Sequence, residues 1–257
     1  MNQYQQFRDL HFQQEPLVLG NAWDLTSAQQ LEKAGFSALG TSSAAVAQNL
    51  GFEDGEAITF ENLLHTVESI KKNTSAPLSV DIEGGYSRKA KEIAENIGRL
   101  HQLGVVGVNL EDSVVKGQRE LLPLPTFSRL LSEIVNELKQ RQIEMFLNVR
   151  TDTHLLQLPD AISETLRRVE AYKKSGASGI FVPGMVDLED IERVVAHTDL
   201  PVNVLTLPQL PAYSDLKKVG VSRISMGNFV YEMNKKRLTD AAAEMLQNRS
   251  FQDLFLI

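Results

Sequence analysis

The chain has no cysteine in its 257 residues, which excludes disulfides, thiolate metal sites and a cysteine nucleophile and fits a reducing compartment. It holds a single tryptophan, and no stretch approaches the roughly 18 apolar residues a membrane span requires. Met1 to Leu10 carry Gln, Asn, Tyr and Arg where a secretory signal would place an apolar block. A cytoplasmic location is therefore expected. Positive charge is in short supply, with 26 Lys and Arg against 33 Asp and Glu and a net charge of -7. The basic residues cluster on no segment, so neither nucleic acid nor an anionic membrane is an expected partner. The five histidines, His11, His65, His101, His154 and His197, are too dispersed for a zinc set. Only His154, just past Arg150, is placed to carry a proton.

What is present is an alternation of short apolar runs with helical periods, the pattern of parallel strands covered by helices. Eight strands are expected: Leu17–Gly20, Phe36–Gly40, Leu78–Asp81, Val105–Leu110, Met145–Arg150, Gly179–Val182, Val202–Leu205 and Arg223–Met226. Between them Phe60, Leu63, Leu64, Val67 and Ile70 share one helical face, as do Phe127, Leu130, Leu131, Ile134 and Leu138, and Ile162, Leu166, Val169 and Tyr172. Asp24, Thr59 and Asp187 read as helix N-caps, and Pro125 sits where a first turn begins. Four helix-to-strand joints repeat one device, a glycine at 35, 104, 176 and 220. No linker or low-complexity segment appears, so residues 1–257 read as one domain. With eight units and no Gly-rich dinucleotide loop after the first strand, a closed α/β (β/α)8 TIM barrel is expected rather than an open doubly wound sheet.

In such a barrel the C-terminal ends of the strands line the active face. That rule selects Trp23 and Asp24, Gly40 to Ser43, Asp81 to Glu83, Glu111 and Asp112, Arg150, Pro183, and Met226 to Asn228. Asp81 and Glu83, two apart at a strand end, should point to one side and meet Glu111 from the next strand. Each acid alone reads as a solvated loop residue or a cap, but three together repel unless a cation lies among them. An all-oxygen set suits Mg2+, with Mn2+ as the alternative. Asp54 could join through water. Arg150 can fork onto a substrate anion, or form a structural salt bridge with Glu111 or Asp152. Gly40-Thr41-Ser42-Ser43-Ala44 is a small-residue turn able to cradle a carboxylate. Trp23 could wall the pocket or simply pack. Lys116 and Arg119 fall where a mobile lid is expected.

These motifs resemble the isocitrate lyase/phosphoenolpyruvate mutase superfamily over nearly the whole chain. The resemblance is carried by Gly40-Thr41-Ser42-Ser43 with Gly51-Phe52-Glu53-Asp54, by Asp81-Ile82-Glu83-Gly84-Gly85-Tyr86, by Asn109-Leu110-Glu111-Asp112 and by Asn148-Val149-Arg150-Thr151-Asp152. It implies that Thr41, Ser42 and Ser43 hold the carboxylate and 2-oxo end of a small anionic 2-oxo or 2-hydroxy acid. It implies that Asp54, Asp81, Glu83 and Glu111 hold Mg2+ directly or through water, that Arg150 binds substrate and developing enolate, and that Asn203 is a polar pocket residue. Arg150, Glu111 and Asp54 are then the expected catalytic residues. It further implies a homotetramer or homodimer, with the eighth helix exchanged between subunits; residues 228–257, ending in Phe251, Leu254, Phe255 and Ile257, are the expected contact.

Two departures restrict the activity. The lid cysteine of isocitrate and methylisocitrate lyases has no counterpart in Ser113–Glu120, and the family's second metal-site Asp is Glu83 here. The expected activity is a Mg2+-dependent carbon-carbon lyase or decarboxylase working through an enolate. Phosphorus-carbon chemistry on a phosphonopyruvate-like acid, and a 2-oxo acid binding barrel without turnover, are the alternatives.

Overall fold

The computed structural model describes residues 2–255, the side chains of Lys116 and Asp253 excepted. The expectations placed on the Lys116 side chain and on Ile257 lie outside the described residues. In chain order the strands are β1 (Leu17–Ala22), β2 (Leu39–Thr41), β3 (Leu78–Asp81), β4 (Gly107–Glu111), β5 (Ser113–Lys116), β6 (Gln118–Leu121), β7 (Phe146–Arg150), β8 (Gly179–Phe181), β9 (Val202–Leu205) and β10 (Arg223–Ser225). The helices are α1 (Gln3–Asp9), α2 (Leu25–Lys33), α3 (Ser43–Asn49), α4 (Phe60–Asn73), α5 (Ala90–Gln102), α6 (Leu124–Gln140), α7 (Ala161–Ser175), α8 (Leu188–His197), α9 (Tyr213–Lys218) and α10 (Phe229–Asn248).

Eight strands close into a parallel barrel, β1-β2-β3-β4-β7-β8-β9-β10 and back to β1, as expected of a TIM barrel. Pairing of Leu19 with Ser225 forms the closing seam. The register also sets neighbours at the top: Asp81 faces Asn109 and Glu111 faces Arg150. Strand boundaries differ from expectation mainly in β2, which begins at Leu39 rather than Phe36; Phe36 packs instead from the preceding turn against the core.

The caps form as the sequence indicates. Asp24 Oδ1 accepts from Ser27 N at 2.8 Å while Ser27 Oγ accepts from Asp24 N at 3.1 Å, a reciprocal capping box. Thr59 and Asp187 each accept from the backbone three residues on. α7 ends at Gly176 with φ +97°, a left-handed turn that releases the chain into β8. The amphipathic stripes of α4, α6 and α7 bury Phe60, Leu63, Val67 and Ile70, then Phe127, Leu131, Ile134 and Leu138, then Val169 and Tyr172 against the outside of the barrel. This shell is the main apolar core.

Two features go beyond the expected barrel. α1 and the 3-10 turn Leu10–Phe12 plug the barrel bottom, where the Phe7 and His11 rings lie 5.6 and 4.3 Å from that of Phe146. And the segment expected to be a mobile lid is an antiparallel hairpin, β5 paired with β6 from Ser113↔Leu121 to Lys116↔Gln118. At its base Leu122 N donates to Asp112 O at 2.8 Å. α10 contrasts with the other long helices: none of its described residues is buried, and Leu238 and Leu246 are 71% and 81% exposed. No helix among the described residues is long and apolar enough to cross a membrane.

Candidate active site

A cavity of about 100 Å3 opens at the C-terminal ends of the strands. Its size is well below the roughly 300 Å3 at which pockets for drug-sized ligands begin, so it suits a small acid. Asn21, Asn109 and Ser225 contribute from the barrel interior, Thr41, Ser42 and Ser43 from the turn after β2, and Asp54, Asp81 and Arg150 add charge. Leu155, Phe181, Pro183 and Leu205 supply an apolar wall.

Asp81 ends β3 and is buried. Ser43 Oγ donates to its Oδ2 at 2.9 Å, its own N–H donates to Thr41 Oγ1 at 2.9 Å, and Glu83 N donates to Oδ1 at 3.3 Å. Thr41 and Ser43 thus already fix this carboxylate, besides lining the cavity. Burial pushes the Asp81 carboxyl above its ordinary range, partly offset by Arg150. Gly40 is on the barrel wall rather than the cavity: a Cβ there would come within 2.6 Å of Leu19 Cδ2, so its smallness serves strand packing.

Glu83 does not continue the strand's alternation, because its φ of +51° turns the chain at that point. Its Oε2 accepts from Glu56 N at 2.7 Å. Glu56 (φ +60°) and Tyr86 (φ +58°) are left-handed too, and they are tied together by Tyr86 N donating to Glu56 Oε1 at 2.8 Å. Three non-glycine residues in this region mark stored backbone strain beside the site. Burial, then repulsion from Asp54, Asp81 and Glu111, pushes the Glu83 carboxyl up to about 8. Glu111, at the end of β4, is pushed up to about 7 by burial against the opposing pull of Arg150.

The cations among these acids come from two arginines. Arg150 pairs with Asp152 at 2.6 Å and with Glu111 at 3.1 Å, so its structural salt bridge is present although it also borders the cavity. Arg119, from β6, donates to Glu111, to Ser113 Oγ at 2.8 Å, to Asp152 at 3.1 Å and to Asp54 at 3.2 Å. Burial raises the Asp152 carboxyl, but Arg150 beside it wins and holds it below the ordinary range. Among the described residues no three Asp, Glu or His side chains converge as a ready metal shell; the expected meeting of Asp81, Glu83 and Glu111 is interleaved with guanidinium groups instead.

Other expected residues lie elsewhere. Trp23 packs edge-on against Tyr231 at 5.1 Å and borders a separate groove beside His65. Asp112 is turned away from the cavity and fully buried, accepting from Arg168 at 2.8 Å and Tyr172 at 2.7 Å. His154 is half-buried near Asp190, its pKa lowered by burial, and does not line the cavity. Asn203 lies beneath the floor, its Oδ1 accepting from Ser225 Oγ at 3.0 Å.

Asn21 and Asn109 also stand on the cavity wall, positions that the strand-end rule does not select. Asn21 Oδ1 accepts from the N–H groups of Met226 and Gly227 at 2.8 and 3.0 Å, joining the first strand to the loop after the last. One signal could have found them. β1, β4, β7 and β9 each carry a single Asn flanked by apolar or small residues, and an amide buried in such a strand needs partners inside the barrel.

The family model for phosphoenolpyruvate phosphomutase matches residues 7–246. An uncharacterised Mycobacterium tuberculosis protein is 35% identical over 229 residues, covering 88% of this chain and 83% of its own. Oxaloacetate decarboxylase 1 of Pseudomonas fluorescens is 27% identical over 234 residues, 88% of this chain and 79% of its own. Among solved structures, a Burkholderia cenocepacia protein provisionally assigned as a phosphonomutase superposes with a TM-score of 0.89 at 33% identity, covering 94% of this chain and 99% of its own. With its barrel and strand-end carboxylates in place, the chain belongs to the phosphoenolpyruvate phosphomutase family.

Proposed function

We propose that this chain is a Mg2+-dependent carbon-carbon lyase or decarboxylase acting on a small 2-oxo or 2-hydroxy dicarboxylic acid. One observation carries the reading: Asp81 and Arg150, opposite in charge, border one small polar cavity at the barrel top. The similarity to an oxaloacetate decarboxylase supports it.

The donors are all oxygen, the chemistry a hard divalent cation takes, although among the described residues they do not yet converge on one point. Asp54, Asp81, Glu83, Glu111 and Asp152 outnumber Arg119 and Arg150, and Glu83, pushed up first by burial, is raised further by repulsion from Asp54, Asp81 and Glu111. Asp81, with Glu83, Glu111 and Asp54 directly or through water, would hold Mg2+ or Mn2+. The ion, when bound, supplies Lewis-acid polarisation of ligand oxygens.

The residues of the chain do the rest. Arg150 donates to the substrate carboxylate or carbonyl oxygen and stabilises the charge that develops there. Ser42 and the amide of Asn21 orient the acid from the turn and the floor. Leu155, Phe181 and Leu205 keep water from the reacting carbons. In a decarboxylation the bond to the outgoing carboxylate breaks, its electron pair enters the carbonyl to give an enolate, carbon dioxide leaves, and the enolate carbon then takes a proton from water.

Turnover of oxaloacetate and of phosphonopyruvate, each with Mg2+ and with EDTA, tests the reading. Expected are pyruvate and carbon dioxide from oxaloacetate, lost in EDTA and lost in Asp81→Ala with the fold intact. Phosphate or a rearranged phosphoester from phosphonopyruvate would replace this reading with phosphorus-carbon chemistry. Ligand-induced stabilisation without any turnover would leave a binding barrel.

A further inference from the structure

Arg223 opens β10 and is among the largest fully buried side chains, at 1% exposure. Arginine at such depth is ordinarily paired with a carboxylate. This one enters no ion pair among the described residues. Its Nε donates to Ser225 Oγ at 3.1 Å and its Nη2 reaches Asn109 Oδ1 at 3.5 Å, both neutral acceptors. Its Nη1 has no partner, nor has Nδ2 of Asn203, which sits opposite it in the β9–β10 register. His11, in the plug below, adds no counter-charge: its Nδ1 must donate to the Phe7 carbonyl, and burial, followed by repulsion from Arg223, keeps the ring neutral.

A desolvated cation with no carboxylate in contact is costly, and the opposite charge that does act on it, Asp81, stands at the cavity, which shows where further compensation would come from. Ser225 and Asn109, the two side chains that accept from Arg223, both line the cavity above. This charge, in contact with no carboxylate, therefore lies one side chain beneath the floor on which the ligand would rest. The low-dielectric barrel interior carries its field upward with little screening.

Resting on the function proposed above, we infer that Arg223 is a positioning residue for the anionic ligand. Its buried charge, relayed through Ser225 and Asn109, selects dianionic over monoanionic acids. A purely structural arginine would favour neither.

Calorimetric titration of the whole chain in Mg2+ with oxalate, a dianion, and pyruvate, a monoanion, tests this in the wild type, Arg223→Met and Arg223→Lys. Arg223→Met should weaken oxalate roughly a hundredfold and pyruvate roughly tenfold, since the lost interaction scales with ligand charge. Its melting temperature should hold or rise, because an unpaired buried charge has been replaced by an apolar chain of similar length. Arg223→Lys should stay within about threefold of wild type for both acids. Should the Met variant not fold, Arg223→Gln takes its place in the same comparison. Equal losses for the two acids, or none, overturn the inference while leaving the proposed function standing. A wild type that binds neither acid removes the proposed function and this inference with it.

Discussion

At the scale of single residues, the polar interior of the barrel separates what the chain shows in sequence from what it hides. Asp81, Glu111 and Arg150 were legible because a charged residue ending an apolar strand has nowhere to go but the top of a barrel. Glu83 was legible as an acid but not as a bend, since nothing in Asp-Ile-Glu-Gly-Gly announces a left-handed glutamate. His11 was silent for the opposite reason. It reads as a polar residue near the start of the chain, yet it stacks on Phe146 with a pKa lowered to about 3, first by burial and then by Arg223. In the unfolded chain the ring titrates near 6.5. Between these values only the unfolded state binds the proton, so folding stability is present above about pH 6.5 and declines as the pH falls. The loss approaches about 1.4 kcal/mol per pH unit. His11→Phe keeps the stack and removes that proton, so its denaturation midpoint should change less than wild type's between pH 7 and pH 5. Parallel curves for the two proteins would refute this account.

Among the elements, the strands and amphipathic helices follow from periodicity, and their edges shift by up to three residues where packing decides. The β5–β6 hairpin did not follow from it. Ser113-Val-Val-Lys-Gly-Gln-Arg-Glu is short, polar and centred on a glycine, and its order comes from contacts distant in sequence. Val115 lies against Gly55, where a Cβ would come within 3.0 Å, and Arg119 bonds Asp54, Glu111 and Asp152. Charge-assisted bonds of this kind are each worth about 1.5–3 kcal/mol when intact. Arg119→Ala should therefore speed amide hydrogen exchange in Ser113–Leu121 by tenfold or more, while the barrel strands exchange as before. Unaltered protection in the hairpin would mean that Arg119 does not hold it.

On the scale of the whole molecule, the closed barrel was legible from eight strand signals, whereas the expected contact of residues 228–257 with other copies came only from the family resemblance, because surface that meets another subunit resembles surface that meets water until the fold is known. α10 keeps Phe229, Met233, Leu238 and Leu246 exposed, a run of apolar side chains unusual on a lone subunit. A homotetramer or homodimer that covers this helix is the expected state. Sedimentation should find the wild type multimeric and the pair Leu238→Asp, Leu246→Asp shifted toward monomer; a monomeric wild type would dispose of the idea. Relatives by descent meet a different consequence of this architecture at the hairpin's base. There Leu122 N is bonded to Asp112 O, and Asp112 is itself anchored by Arg168 and Tyr172. Both ends of the segment are thus pinned by the scaffold and not by the segment's own sequence. Lengthening it would cost little beyond slowly growing loop-closure entropy. The hairpin is an exchangeable part, free to diverge in length and chemistry while the barrel that anchors it stays the same.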